Sequence, residues 1–439
     1  MRLGIRGDMR VLLLALGGVG VACSGRVAGN GNDGGPSSSS SSSSGISGSS
    51  GVTTSSSDGG SSSGSTSGSS GVTASSSDGG SNSGGSSGGS DLCSQLGTSV
   101  CIEPPTPPMG PTTTLTTPHN YAVHKLYLGD TDRAGIPSIN AWNSFGYDLD
   151  GKVTTAASTD VCSLVAGASK QVQIDGNGGI DNSWGANIVP ILETLNSTFS
   201  QTANNAIQSG APTQLLYVVG FDSSAGNMTT ATGLTGVALG GAQYSANGGT
   251  VPSWDLNTHW PIAPQSLSCY PSGGTDNCTA STDPIATADV KVPAAFQTGG
   301  TFSSGTPADI TLSLPMGGQA LALNLHDAVV TFYPQMPGSV TNGTIAGVLN
   351  TNELIAALQQ VAGQISTSLC SGSAFQSIAS QIQQTSDMVI NPSNMVTNPA
   401  GVTCNAISIG LGFDATEIAL PTSADIAPAQ PPAVDPCGG

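Results

Sequence analysis

Charge is what this sequence has least of: 8% of its 439 residues are Asp, Glu, Lys or Arg, against about 25% in an ordinary soluble protein. Its solubility must rest on Ser, Thr, Asn, Gln and Gly, a habit of secreted β-rich proteins rather than cytosolic helical ones. Basic residues are scarcest, with 9 Lys and Arg against 27 Asp and Glu. From Asp91 onward only Lys125, Arg133, Lys152, Lys170 and Lys291 remain. That balance repels a phosphate backbone, because nucleic-acid binding needs clustered Lys and Arg. Nucleic acid is excluded as a partner. Long apolar runs are missing too: Val11–Ala22 is too short to span a bilayer, and no later run approaches the ~18 residues required. Neither a C-x-x-C pair nor H-E-x-x-H occurs, which removes the local signatures of zinc sites.

What is present begins with an address. Arg2, Arg6 and Arg10 precede the apolar stretch, and small residues follow it, the pattern of a signal peptide over residues 1–22. The boundary Gly20-Val21-Ala22-Cys23 resembles a bacterial lipobox, departing from it at Gly20, where an aliphatic residue is usual. Cys23 is therefore the expected lipidation site, giving a membrane partner through a lipid anchor; ordinary signal peptidase, which also accepts Gly20 and Ala22, would cut the same bond and leave the protein secreted. Ser24 in place of Asp resembles the pattern of outer-membrane sorting. Cysteine arithmetic agrees: of 9 Cys, all but Cys23 form an even set, as full pairing in an oxidising compartment requires.

Residues 23–90 read as a lipidated start and a disordered tether. Ser and Gly dominate it, so no core offsets the entropy of ordering the backbone. Gly48–Gly60 recurs almost unchanged as Gly68–Gly80, a tandem duplication within a spacer. About 60 such residues span roughly 40–45 Å. The G-x-S-x-G match at Gly60–Gly64 lies in this tract, which offers no strand-to-helix elbow for a nucleophile.

Residues 91–118 form an expected disulfide loop (Cys93–Cys101) and a Pro/Thr-rich connector. Residues 119–439 read as a β-rich globular domain. Alternating or continuous apolar runs predict strands over Tyr121–Leu128, Gln214–Phe221, Leu234–Leu239, Ala288–Phe296, Ile310–Leu314, Ala320–Phe332, Val340–Leu349 and Ala406–Leu420. Helical spacing predicts Asn187–Gln208, Glu353–Leu369 with Thr351 as N-cap, and Ala374–Ser386. The expected fold is mainly β, an antiparallel β-sandwich with a few helices packed at one end, with α+β as the alternative. Order along the chain suggests Cys269–Cys278, Cys370–Cys404 and Cys162–Cys437 for the remaining bridges, among the 105 arrangements that eight cysteines allow.

The densest chemistry lies between Gly129 and Trp184. Asp148-Leu149-Asp150-Gly151 and Asp175-Gly176-Asn177-Gly178-Gly179-Ile180-Asp181 alternate carboxylates and amides with glycine, which turns several oxygens toward one hard cation. Asp148, Asp150, Asp175, Asn177 and Asp181 are the candidate calcium ligands. The second loop departs from an EF-hand at Gly179, Ile180 and Ala186, so any site is irregular. Self-capped Asp/Asn/Gly turns are the plainer alternative.

The segments "HKLYLGDTDR", "AWNSFGYDLDGKVTT" and "IDGNGGIDNSWGANI", the later "SWDLNTHW" and the ending "ISIGLGF…PAVDPC" resemble a family of uncharacterised myxobacterial surface lipoproteins. These pair an AW..GyDLDG segment with a DG..GIDN segment behind a low-complexity stalk. The resemblance covers most of the chain after His119 and implies an exported, disulfide-bearing lipoprotein. It brings no activity with it.

Trp254, His259 and Trp260 cluster in sequence as a sugar-stacking platform would. His119, His124, His259 and His326 are scattered. The four Glu after Asp91 (Glu103, Glu193, Glu353 and Glu417) form no evident acid–base pair for glycoside hydrolysis. The expectation is a non-enzymatic cell-surface module, binding glycan or protein or serving a structural role, with structural calcium. A secreted hydrolase whose site forms only in three dimensions is the alternative.

Overall fold

The computed structural model describes residues 101–109, 116–222, 230–247, 251–269, 283–316, 319–335, 338–393, 395–428 and 437. Signal peptide, Cys23, tether, Cys93 and Cys278 lie outside them. The architecture is mainly β. Strands β1 (Pro118–Tyr127), β2 (Gln214–Val219), β3 (Ala231–Gly240), β4 (Val290–Thr298), β5 (Thr301–Ser303), β6 (Ala308–Met316), β7 (Gln319–Gln335) and β8 (Ser339–Asn350) join a later strand in one sheet. The ribbon β9 (Val389–Ile390) with β10 (Val396–Thr397) stands apart, and β11 (Ala406–Glu417) completes the set. The nine-stranded sheet is antiparallel, in the order β5-β4-β3-β2-β1-β11-β8-β7-β6.

That sheet curls. β5 pairs not only with β4 but also with β7, at Phe302↔Phe332 and Ser303↔Thr331, and β6 packs against β3 and β4. The two halves thus face each other across a shared core, the sandwich-like arrangement expected. Phe332 stacks on Phe302 at 4.6 Å between ring centroids and meets Phe221 at 5.4 Å. All eight predicted strands form, because half-buried strands alternate and fully buried ones run apolar without a break. β8 is buried from Gly343 to Leu349 and β11 from Ala406 to Phe413, so both sit at the sheet's centre with both faces covered.

Helices close the core. The expected single helix over 187–208 is broken in two, α1 (Val189–Leu195) and α2 (Phe199–Gln208), after a π-turn at Trp184–Ile188. The break falls on Asn196-Ser197-Thr198, where the Asn196 side chain caps the Thr198 amide and competes with helical bonding. α2 rests on β1 and β6. α3 (Thr351–Ile365) lies on β7 and is packed by α4 (Gly372–Gln383). Its N-cap is Asn350, whose side chain accepts from the amides of Asn352 and Glu353. Thr351, expected in that role, sits in the first turn with its hydroxyl 2.8 Å from Ser386 Oγ.

The disulfides correct two expectations. Cys162 bonds Cys404 and Cys370 bonds Cys437, with Cα separations of 5.3 and 5.0 Å, in place of Cys370–Cys404 and Cys162–Cys437. The cause is a parallel bridge, Ser163↔Thr403, fixed by Ser163 N–H to Val402 O and Cys404 N–H to Ser163 O. It lays the 162 loop beside the entry to β11. Cys101 and Cys269 are disulfide-bonded, while their expected partners lie outside the described residues. Among the described residues no helix is long and apolar enough to cross a membrane.

Candidate metal centre

The acidic loops are seated on β11 by missing side chains. A Cβ at Gly410 would lie 2.2 Å from Phe145 O, and one at Gly412 would enter the Phe145 ring. The pair in "ISIGLGF" leaves the gap into which the Phe145–Gly146 backbone drops. Asn182 then staples the seat. Its Nδ2 donates to Trp142 O, Phe145 O and Gly410 O at 3.2, 3.0 and 2.9 Å. Its Oδ1 accepts from Gly185 N at 2.9 Å and Gly410 N at 3.0 Å. Asp148 and Asp181, on the two loops so joined, become neighbours through the Asp181 N–H to Tyr147 O bond of 3.0 Å.

The result is a buried carboxylate cluster. Asp148, Asp150 and Asp181 each offer an oxygen within 4.8 Å of the others, close enough to share one metal ion. Asp148 and Asp181 are 3% exposed and Asp150 is half-buried. Part of each carboxylate already holds main chain. Asp148 Oδ1 accepts from Gly151 N and Lys152 N at 2.7 and 3.1 Å, and Asp181 Oδ2 from Leu149 N at 2.7 Å. Asp150 Oδ1 takes Lys152 N at 2.8 Å, while its Oδ2 takes Asn398 Nδ2 at 2.6 Å. A carboxylate has about four lone-pair sites, so one that holds main chain can also take an ion.

Asp175 stands next to this group, its carboxylate accepting from Thr154 N. Asn177 does not join: it is exposed, with its amide turned to Ser144 Oγ. Gly179, which breaks the EF-hand pattern, is required here, because at φ +80° a Cβ would sit 2.9 Å from both Asp148 Oδ2 and Lys152 O. The residue that sequence reading missed is Asp387. It is buried beside β11, with Ser408 N and Oγ donating to it at 2.8 and 2.5 Å.

Electrostatics set these five carboxyls apart. Burial pushes Asp148 up to about 7, with Asp150 adding to it. Asp175 rises to about 9 through burial first, then Asp150 and Asp387. Asp387 goes to about 7, mainly by burial. Burial also raises Asp150, and raises Asp181 well above the ordinary carboxylate value, with Asp150 and Asp175 as further causes. Packed, desolvated carboxylates need either protons or a cation. Lys152 offsets part of the charge on Asp150. Thr154 Oγ1, buried and without a hydrogen-bond partner, is a further polar atom in this neighbourhood. A cavity of about 230 Å³, lined by Pro104, Leu149, Asp327, Val348 and Val396 among others, borders the cluster at Asp148.

The other sequence candidates fare differently. Trp260 is core, 2% exposed, with Nε1 donating to Ala242 O at 3.0 Å. Trp254 is half-buried against it at 5.0 Å, held at φ +54°. Only His259 is exposed. The three do not present a flat stacking face, since Trp260 is buried in an apolar cluster with Leu215, Val237, Leu239 and Ile262. His259 Nδ1 lies 3.3 Å from Asp425, but the hydroxyl nearby, Thr422 Oγ1, is bonded to Asp425 and not to the imidazole. His119 pairs with Glu417 at 2.6 Å, and His326 lies between Asp309 and Glu353 at 3.3 and 3.5 Å.

No protein-family model matches the chain, and neither a curated protein nor a solved structure shows significant similarity to it.

Proposed function

We propose that the chain is an exported surface lipoprotein, anchored through Cys23, whose folded part is a non-enzymatic binding or structural module braced by one calcium ion at Asp148, Asp150 and Asp181. The observation that carries the calcium reading is the convergence of three carboxylates within 4.8 Å in a buried setting. The donor set is all oxygen, with neither imidazole nor thiolate, and the loop geometry is irregular. Calcium accepts six to eight oxygens in flexible arrangements, whereas magnesium demands a near-ideal octahedron. Such an ion acts as a brace. It ties the 148–150 turn to the turn ending at Asp181, and both sit on β11 through Asn182 and Gly410. Asp148 and Asp181 are buried, Asp150 is half-buried, and all three are engaged with main chain, an arrangement suited to holding loops rather than to offering an open coordination position to a substrate.

The experiment is calcium stoichiometry by equilibrium dialysis on the purified, oxidised protein. One ion per chain is expected, lost in Asp181→Asn. Native protein that retains no calcium at millimolar concentration overturns the reading.

A further inference from the structure

The cavity beside the acidic cluster is built from parts that a calcium brace does not use. Its volume is about 230 Å³, room for a short aliphatic chain. Leu149, Val329, Val348 and Val396 supply apolar walls, and Pro104 and Pro307 line the rest. Asp327, on β7, is the lining carboxylate that lies outside the metal cluster. It sits at a bulge, where the register of β7 against β8 slips between His326 and Val329, and it holds φ at +49°. Bulges re-aim side chains that regular pleating would send elsewhere, and Asp is one of the few residues that accept a positive φ at modest cost. Asp327 Oδ2 takes the Val396 N–H at 2.9 Å. Among the described residues nothing pairs with Oδ1.

What the lining withholds identifies the ligand. Among the described residues it consists of Asp, Leu, Val and Pro, whose side chains offer acceptors or hydrocarbon but no donor. Pro104 and Pro307 have no N–H, and the N–H groups of Leu149 and Val396 are already given to Asp181 and Asp327. A carboxylate or phosphate would find nothing to hold it. An alcohol or amide would bring an acceptor of its own and leave it unpaired, at a desolvation cost. A primary ammonium only donates, and its hydrocarbon stem suits the walls. Calcium is no rival here, because it needs six to eight oxygens and most of this lining is apolar. The excess of 27 Asp and Glu over 9 Lys and Arg draws cations toward the protein. We propose that the cavity is a binding site for a primary aliphatic amine, held at its ammonium by Asp327 and along its stem by the valine and leucine walls. Asp327 is not a ligand of the calcium site, so the amine site stands or falls independently of the calcium reading.

The test is a titration of the full, oxidised chain with n-butylammonium chloride, read by saturation-transfer difference NMR at constant ionic strength, once with chelator and once with calcium. Saturable binding is expected in both, with a dissociation constant of roughly millimolar order for so small a ligand. n-Butanol and butyrate, which share the stem and lack the positive charge, should bind about tenfold more weakly or worse. So should n-butylammonium to Asp327→Asn, since a hydrogen bond to a charged group contributes about one tenfold step or more. Asn tolerates the positive φ and still accepts the Val396 N–H, and formation of Cys162–Cys404 reports that the variant has folded. Val396→Phe keeps that N–H, fills the cavity and should abolish binding; with the n-butanol comparison it decides the matter if Asp327→Asn does not fold. Nα-Acetyl-lysine methylamide separates the two sources of such a group. Affinity equal to that of n-butylammonium or better assigns the site to a lysine side chain of another polypeptide, and weaker affinity to a free amine. Failure of n-butylammonium to saturate well above millimolar concentration overturns the proposal, as does equal binding of n-butanol or undiminished binding to folded Asp327→Asn.

Discussion

Asp148 offers the sharpest test of the idea that the cluster is built for a cation. Its carboxyl is moved from 3.8 to about 7, chiefly by burial. A carboxyl raised on folding favours the native state most below its unfolded value. That contribution is lost as pH rises from about 4 through 7. Each step of one between the two values is worth about 1.4 kcal/mol, so ionising Asp148 in the ion-free protein costs up to about 4 kcal/mol, and roughly half of that where solvent screens the site. A calcium ion reverses the sign, since it binds the ionised form. From Asp148, protein stripped with chelator should therefore melt lower at pH 8 than at pH 5 by about 3–5 °C, since about two-thirds of that cost falls between these pH values, taking about 2 °C per kcal/mol for a domain of this size. Calcium at a hundredfold excess over its dissociation constant should return about 2.7 kcal/mol at pH 8 and little at pH 5. Asp148→Asn keeps the shape, removes the charge, and should reduce both responses, the part of the pH response that remains coming from Asp175 and Asp387. The assay is calorimetric melting of the oxidised domain at the two pH values, with chelator or calcium. A native protein and an Asp148→Asn variant that melt alike at pH 8 under both conditions would refute the reasoning.

The staple at Asn182 should be costly to remove: Asn182→Ala strands buried acceptors at Phe145 and Gly410 and an unbonded Gly410 N–H, a loss of about 3–5 kcal/mol readable in denaturant titration. A loss below 1 kcal/mol would mean that β11 seats the loops without it. Trp260→Ala opens a cavity under the 251–263 loop and should cost about 3–5 kcal/mol while leaving any glycan binding of the folded variant unaltered; selective loss of glycan binding at unchanged stability would reinstate the platform. Cys23→Ala should move the protein from the membrane fraction to the soluble one, and continued membrane association counts against the anchor.

The fold was legible where the signal is local. Period-two alternation and unbroken apolar runs marked all eight predicted strands, because side chains on a pleated sheet report their faces directly. The break at Asn196 was less visible, since apolar spacing continues through Ile191, Leu192, Leu195 and Phe199 while the polar triplet Asn196-Ser197-Thr198 does its work through the backbone. Within the site, Asp148, Asp150 and Asp181 stood out because two short glycine turns carry them. Asn177 shared the pattern but not the geometry: Gly178 at φ +63° continues the turn past it and leaves its side chain outside.

What could not be read is what arrives from the far end of the chain. Asp387, Asn398 and Cys404 reach the cluster only because β11 pairs between β1 and β8, which places the segment before it against the 148–182 loops. Cys162 then finds Cys404 through a two-residue parallel bridge that has no periodic signature at all. The same registration explains why the acidic residues are tolerated. Five carboxyls gathered in one desolvated place are a conflict between local cost and global fold, of the kind natural sequences keep where something further is bound. Around them lie a disulfide, the Asn182 staple and an Asn398 carboxamide shared between Cys162 and Asp150. These would hold the carboxylates together even when they repel, so the site is organised before any ion arrives, and binding need not be charged for assembling it.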